Sequence, residues 1–135
     1  MAVLPPKCIG DVKGISNELA QITAGFWKHV WNNPNNTIPK KYKYLMAFTA
    51  AMSSNREEQA VRELVKAFGE GATLEEIREV LEMMVWNMGV PYFSCDFNTS
   101  PIMEVYNKIK TDTEQQIPTA ETLAYLKSNI VHRVK

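Results

Sequence analysis

The sequence predicts an all-α protein, and three observations carry that prediction. Apolar residues recur at helical spacing in most segments, and clusters of glycine, asparagine and proline punctuate them at helix length. No run alternates apolar with polar residues long enough to compete as a strand. The 135 residues fit one domain, read as 1–135, and a chain of this size buries about two-thirds of the surface its unfolded form exposes. The architecture expected is a compact bundle of about six or seven helices.

Each element has its own justification. Ile15, Leu19, Ile22, Phe26 and Val30 trace one stripe on a helix over 15–33, which the asparagines and proline of 32–36 end. Pro39 suits a first-turn position, and the helix that follows reaches about Met52. Leu45, Met46 and Phe48, set among alanines and Thr49, leave that helix almost no polar face, so it is expected to be the central buried one. Asn55 reads as the cap of a helix over about 56–69. The clearest boundary follows: Gly71 tolerates a positive φ, and Thr73 with Glu76 makes a capping box. Ile77, Val80, Leu81, Met84, Val85 and Met88 give the next helix its face, ended by Gly89 and Pro91. Another helix starts near Pro91, breaks at Ser100–Pro101 and runs to about Lys110. The polar linker TDTEQQIP then leads to a last helix from about Thr119 carrying Leu123, Leu126 and Ile130. Lying beyond that linker, it is read as free to pack on a neighbouring subunit instead of its own core.

Composition narrows the function classes. Fifteen basic residues balance fifteen acidic ones, so no net field draws the chain to nucleic acid or to an anionic membrane. Cys8 and Cys95 are far apart and form no C-x-x-C, which argues against a zinc ribbon or a local redox pair. No metal site and no cofactor are expected. The N-terminal stretch lacks a basic region followed by an apolar one, and no run of apolar residues is long enough to span a membrane. A cytoplasmic protein is the expectation.

The candidate chemistry centres on NREEQAVRE, 55–63. With Arg56 at zero on a helical wheel, Gln59 falls near 300° and Glu63 near 340°. These three share a face, and Glu63 borders the apolar stripe. A border carboxylate that loses water gains proton affinity and suits proton transfer. The plain alternative is a solvated face with intrahelical ion pairs, Glu58 with Arg62 and Glu63 with Lys66. His29, within FWKHVW, lies near the earlier stripe beside Trp27 and Trp31; it is either a satisfied core imidazole or a general acid or base. Tyr44 opens the most apolar helix, where its hydroxyl needs a partner.

The pattern P-x-x-Y-K-Y-L, then N-R-E-E-Q, then E-G-A-T-x-E-E-I-x-E-V-L, then G-V-P resembles the carboxymuconolactone decarboxylase-like family, over roughly residues 20–97. The most specific part is 71–81, with Gly89-Val90-Pro91 at the expected distance. The resemblance implies the alkylhydroperoxidase D-like helical fold. In the peroxidase branch of that fold a C-x-x-C-x-x-x-H motif stands where this chain has Arg56, Gln59 and Glu63, so thiol-based peroxide reduction is disfavoured. The gamma-carboxymuconolactone decarboxylase branch is the closer likeness. Arg56 matches that branch, Glu63 stands at its histidine and His29 at its glutamate, an acid and a base exchanged.

What the likeness implies is a cofactor-free lyase acting on a small carboxylated molecule, in a homo-oligomer built as a trimer or hexamer. His29, Glu63 and Tyr44 would be catalytic: His29 gives the proton, Glu63 orients it and Tyr44 donates to the developing oxyanion. Arg56, Gln59 and Trp27 would bind substrate, Arg56 holding a carboxylate in bidentate fashion. Two alternatives stand beside this: a non-catalytic oligomeric scaffold or ligand-binding member, and a peroxidase using Cys95 alone.

Overall fold

Residues 3–134 are described by the structure, a computed structural model. Among them are eight α-helices and no strand, so the all-α expectation holds. The chain divides into two compact units, Met1–Lys40 and Lys41–Lys135.

The first unit holds α1 (Lys7–Lys13) and α2 (Asn17–Trp31). Helix α1 is absent from the sequence reading; only Ile9 and Val12, one turn apart, are half-buried on it, and it packs against α2. Ser16 caps α2, its Oγ accepting from the Leu19 N–H at 3.0 Å. Helix α2 lies where expected, but of the expected stripe only Leu19 and Val30 are on its covered side. Ala20 is buried and Thr23, Ala24, Trp27, Val30 and Trp31 are half-buried, whereas Ile15, Ile22 and Phe26 are 77%, 63% and 70% exposed. The covered side mixes small residues with the large rings of Trp27 and Trp31.

The second unit continues from α3 (Lys40–Ser53) through α4 (Glu57–Gly69), α5 (Leu74–Met88) and α6 (Val90–Tyr92) to α7 (Pro101–Glu114) and α8 (Thr119–Leu126). Helices α6 and α8 each run on into a π-helical turn, Phe93–Phe97 and Lys127–Val131. The helix buried on most sides is α4, not α3. Ala60, Val61, Leu64, Val65 and Ala67 are fully buried, and α4 packs against α7 and α8, whereas α3 leaves Met46 57% exposed. Helix α3 still buries Tyr44, Leu45, Phe48, Ala51 and Met52 on one side. Val61, Leu64 and Val65 each contribute about 1.5–3 kcal/mol of transfer free energy.

Three helix ends share one device. At α3, α4 and α7 the residue two beyond the last helical one is left-handed: Asn55 (φ 57°), Gly71 (φ 99°) and Gln116 (φ 58°). The next N–H reaches back in each case, Arg56 to Ala51, Ala72 to Ala67 and Ile117 to Asp112, at 2.8–2.9 Å. These are Schellman turns, which satisfy the last carbonyls and stop the helix. Asn55 therefore ends α3 instead of capping α4, whose N-cap is Arg56 with no side-chain cap bond. The capping box on α5 forms as read: Glu76 N–H donates to Thr73 Oγ1 at 3.1 Å and Thr73 N–H to Glu76 Oε1 at 3.0 Å. Lys41 Nζ also donates to Glu76 Oε1, at 3.1 Å, tying α3 to α5.

The expectation that the last helix packs on another subunit is overturned. Thr122, Leu126, Ile130 and Val134 recur every four residues and are all buried, and α8 packs on α4 and α7 of its own chain. A buried hydrogen bond fixes it: Thr122 Oγ1 donates to Asp112 Oδ2 at 2.8 Å, while Lys108 holds the other carboxylate oxygen at 3.0 Å. Half of the presumed linker is helix, since α7 extends to Glu114 and Gln116 turns the chain back at once. On the outside of the unit, Trp86 is 87% exposed.

Candidate functional site

Glu63 lies in a run, Val61 to Phe68, in which five of eight residues are apolar and buried; a carboxylate placed there has little water to reach. Its residue surface is 7% exposed. Lys66, one turn on, donates from Nζ to Glu63 Oε1 at 3.3 Å, and both side chains are largely shielded. Glu63 Oε2 is buried with no hydrogen-bond partner among the described residues. Burial lifts the Glu63 pKa above the ordinary glutamate value, and the charges of Lys66 and Arg62 oppose that rise.

Tyr44 on α3 faces the same cluster. Lys66 Nζ sits 5.6 Å from its ring centroid, a cation over an aromatic face. Tyr44 is buried, and its phenol is pushed up to about 12, by burial first and then by the negative charges of Glu63 and Glu70. The structure thus brings two of the expected residues, Tyr44 and Glu63, around a third, Lys66. The sequence reading had Lys66 only as a partner on a wet face. The signal that could have found it is the lack of any polar neighbour at 63–68 other than Lys66 itself.

The remaining candidates lie elsewhere. Arg56 is exposed at the N-cap of α4, seven residues before Glu63, which is roughly 10 Å of helical rise. Gln59 is exposed on the outer side of α4. In the first unit, on α2, His29 is exposed and Trp27 half-buried. Cys8 and Cys95 are both exposed free thiols. Among the described residues no group of three or more histidine, cysteine or acidic side chains could hold a metal ion. No described helix is long and apolar enough to cross a membrane.

Four cavities among the described residues are of note. Three lie in the second unit: a polar cleft of about 530 Å³ between α7 and α8 near Lys108 and Tyr125, an apolar groove of about 510 Å³ between α3 and α5 near Leu45 and Val80, and a cavity of about 210 Å³ that includes Arg56. The fourth, about 360 Å³, lies beside the loop after α2. Neither Glu63 nor Tyr44 lines any of these four. No protein-family model, curated protein or solved structure matches the chain.

Proposed function

We propose that the chain is a carboxymuconolactone decarboxylase-like protein in which Glu63, Lys66 and Tyr44 carry out cofactor-free acid–base chemistry on a small carboxylated molecule. The observation that carries this reading is the shielded Glu63 carboxylate, one oxygen engaged by Lys66 and the other without a partner. A carboxyl whose pKa is raised by burial holds its proton into the range where it can deliver it. In the proposed step the bond between the substrate's carboxyl carbon and its neighbour breaks, carbon dioxide leaves, and the electron pair passes to the conjugated carbonyl as a dienolate. Lys66 offsets that charge, and the Tyr44 phenol, still protonated with a pKa of about 12, donates a hydrogen bond to the oxygen. Glu63 then gives its proton to carbon and regains one from solvent.

The second reading, a non-catalytic oligomeric scaffold or ligand-binding member, is favoured by the ion pair of Glu63 with Lys66 on its own helix, which suits a carboxylate that serves packing. The test is carbon dioxide release from gamma-carboxymuconolactone by the purified chain and by Glu63→Gln, Tyr44→Phe and His29→Ala. The first reading expects turnover that Glu63→Gln abolishes while the helical signal is retained. No release by the wild type leaves only the second reading, and equal release by Glu63→Gln refutes the role given to Glu63. The homo-oligomer that the resemblance implies is read separately, by sedimentation velocity.

A further inference from the structure

The most enclosed of the four cavities lies where the α3–α4 turn, the π-helical turn after α6 and the start of α7 meet. Its floor is apolar: Met52 and Ile102 are fully buried and Phe97 is 6% exposed. Its rim is polar and carries both signs of charge, Arg56 on one hand and Glu57 and Asp96 on the other. An apolar body and two opposite charges on the ligand match that division.

Asn55 sharpens the match. Its backbone is fixed in the left-handed conformation by the turn that ends α3, and its Oδ1 accepts a hydrogen bond from the Tyr92 hydroxyl. With that oxygen engaged, the amide NH2 is the end of the side chain that remains to donate. A ligand carboxylate has two donors of the right kind, the Arg56 guanidinium and Asn55 Nδ2. A ligand ammonium has the Asp96 carboxylate. The volume of about 210 Å³ is that of on the order of seven water molecules, or a ligand of roughly eight to ten non-hydrogen atoms.

We propose that this cavity binds a small zwitterion with a branched apolar body, the size and chemistry of an aliphatic α-amino acid, its carboxylate on Arg56 and Asn55, its ammonium on Asp96, and its side chain against Met52, Phe97 and Ile102. The site is separate from Glu63, which does not line it.

Isothermal titration of the full chain with three molecules of one shape tests this: L-leucine, 4-methylpentanoate, which lacks the ammonium, and 3-methylbutylamine, which lacks the carboxylate. Leucine is expected to bind with a Kd at or below about 1 mM, and each analogue about tenfold more weakly or worse, since each forgoes a charge-assisted contact. Arg56→Gln and Asp96→Asn, both at exposed positions, are expected to weaken leucine about tenfold each while leaving the melting temperature unchanged. Glu63→Gln is expected to leave leucine affinity as it is, which keeps this proposal distinguishable from the reading of Glu63. Absence of leucine binding, equal binding of either analogue, insensitivity to both rim substitutions, or loss of binding in Glu63→Gln each overturns it.

Discussion

Replacing Glu63 by glutamine keeps the shape of the buried side chain and removes its titration. In the unfolded chain this carboxyl titrates near the ordinary value of 4.5, and burial on α4 raises it in the folded chain. Between those two values the folded form holds the extra proton. Stability from this group is therefore complete below the unfolded pKa and is lost as pH rises through the folded one. Inside that window the slope approaches about 1.4 kcal/mol per pH unit for one proton. For 135 residues a change of 1 kcal/mol moves the melting temperature by roughly 3–4 °C, so the wild type should lose up to about 5 °C per pH unit relative to Glu63→Gln. Thermal melts followed by far-ultraviolet circular dichroism, at intervals from about pH 4 to about pH 8, read this difference. Lys66→Met removes the main charge opposing the rise, so its window should extend to higher pH. A wild-type curve that stays parallel to that of Glu63→Gln at every pH refutes the argument, because it means that the folded chain hydrates Glu63 as the unfolded chain does.

Three further outcomes follow from packing and capping in the second unit. Leu64→Ala, at a fully buried position of α4, should cost about 2–5 kcal/mol in urea unfolding, from lost transfer energy and the cavity left behind. Thr122→Val strips the buried Asp112 Oδ2 of its 2.8 Å donor and should cost about 1–3 kcal/mol by the same measurement. Thr73→Ala removes half of the capping box and should cost about 1 kcal/mol, with faster amide exchange confined to the first turn of α5.

How much of this was legible depended on whether a signal was local. The capping box at Thr73–Glu76 and the face of α5 could be read because both ends of each interaction lie within one or two turns. The stop at Gly71 was equally plain, since glycine is the usual occupant of a left-handed position; Asn55 and Gln116 do the same work at α3 and α7 without that signal. Helix α1 was missed because seven residues with two apolar positions and Gly10 make no stripe. The side of α2 that is covered was legible only in part: Leu19 and Val30 are on it, whereas Ile15, Ile22 and Phe26 face solvent, because α2 packs chiefly against the short α1. At the candidate site, the spacing of Glu63 and Lys66 was visible as an intrahelical pair. Its burial was not, for it depends on packing by residues distant in sequence, as does the approach of Tyr44 from α3.

The exposure of Trp86 has a spectroscopic consequence. Trp27 and Trp31 belong to the first unit, and the indole of Trp86 already stands in solvent. Emission from the second unit is therefore near its unfolded wavelength before any denaturant is added, and collapse of the Leu64 and Ile109 core should leave it almost unchanged. A blue-shifted component that moves to the red on heating reports the unit that carries α2. The two units can then be followed in one sample, by colour for the first and by helical ellipticity for the chain as a whole.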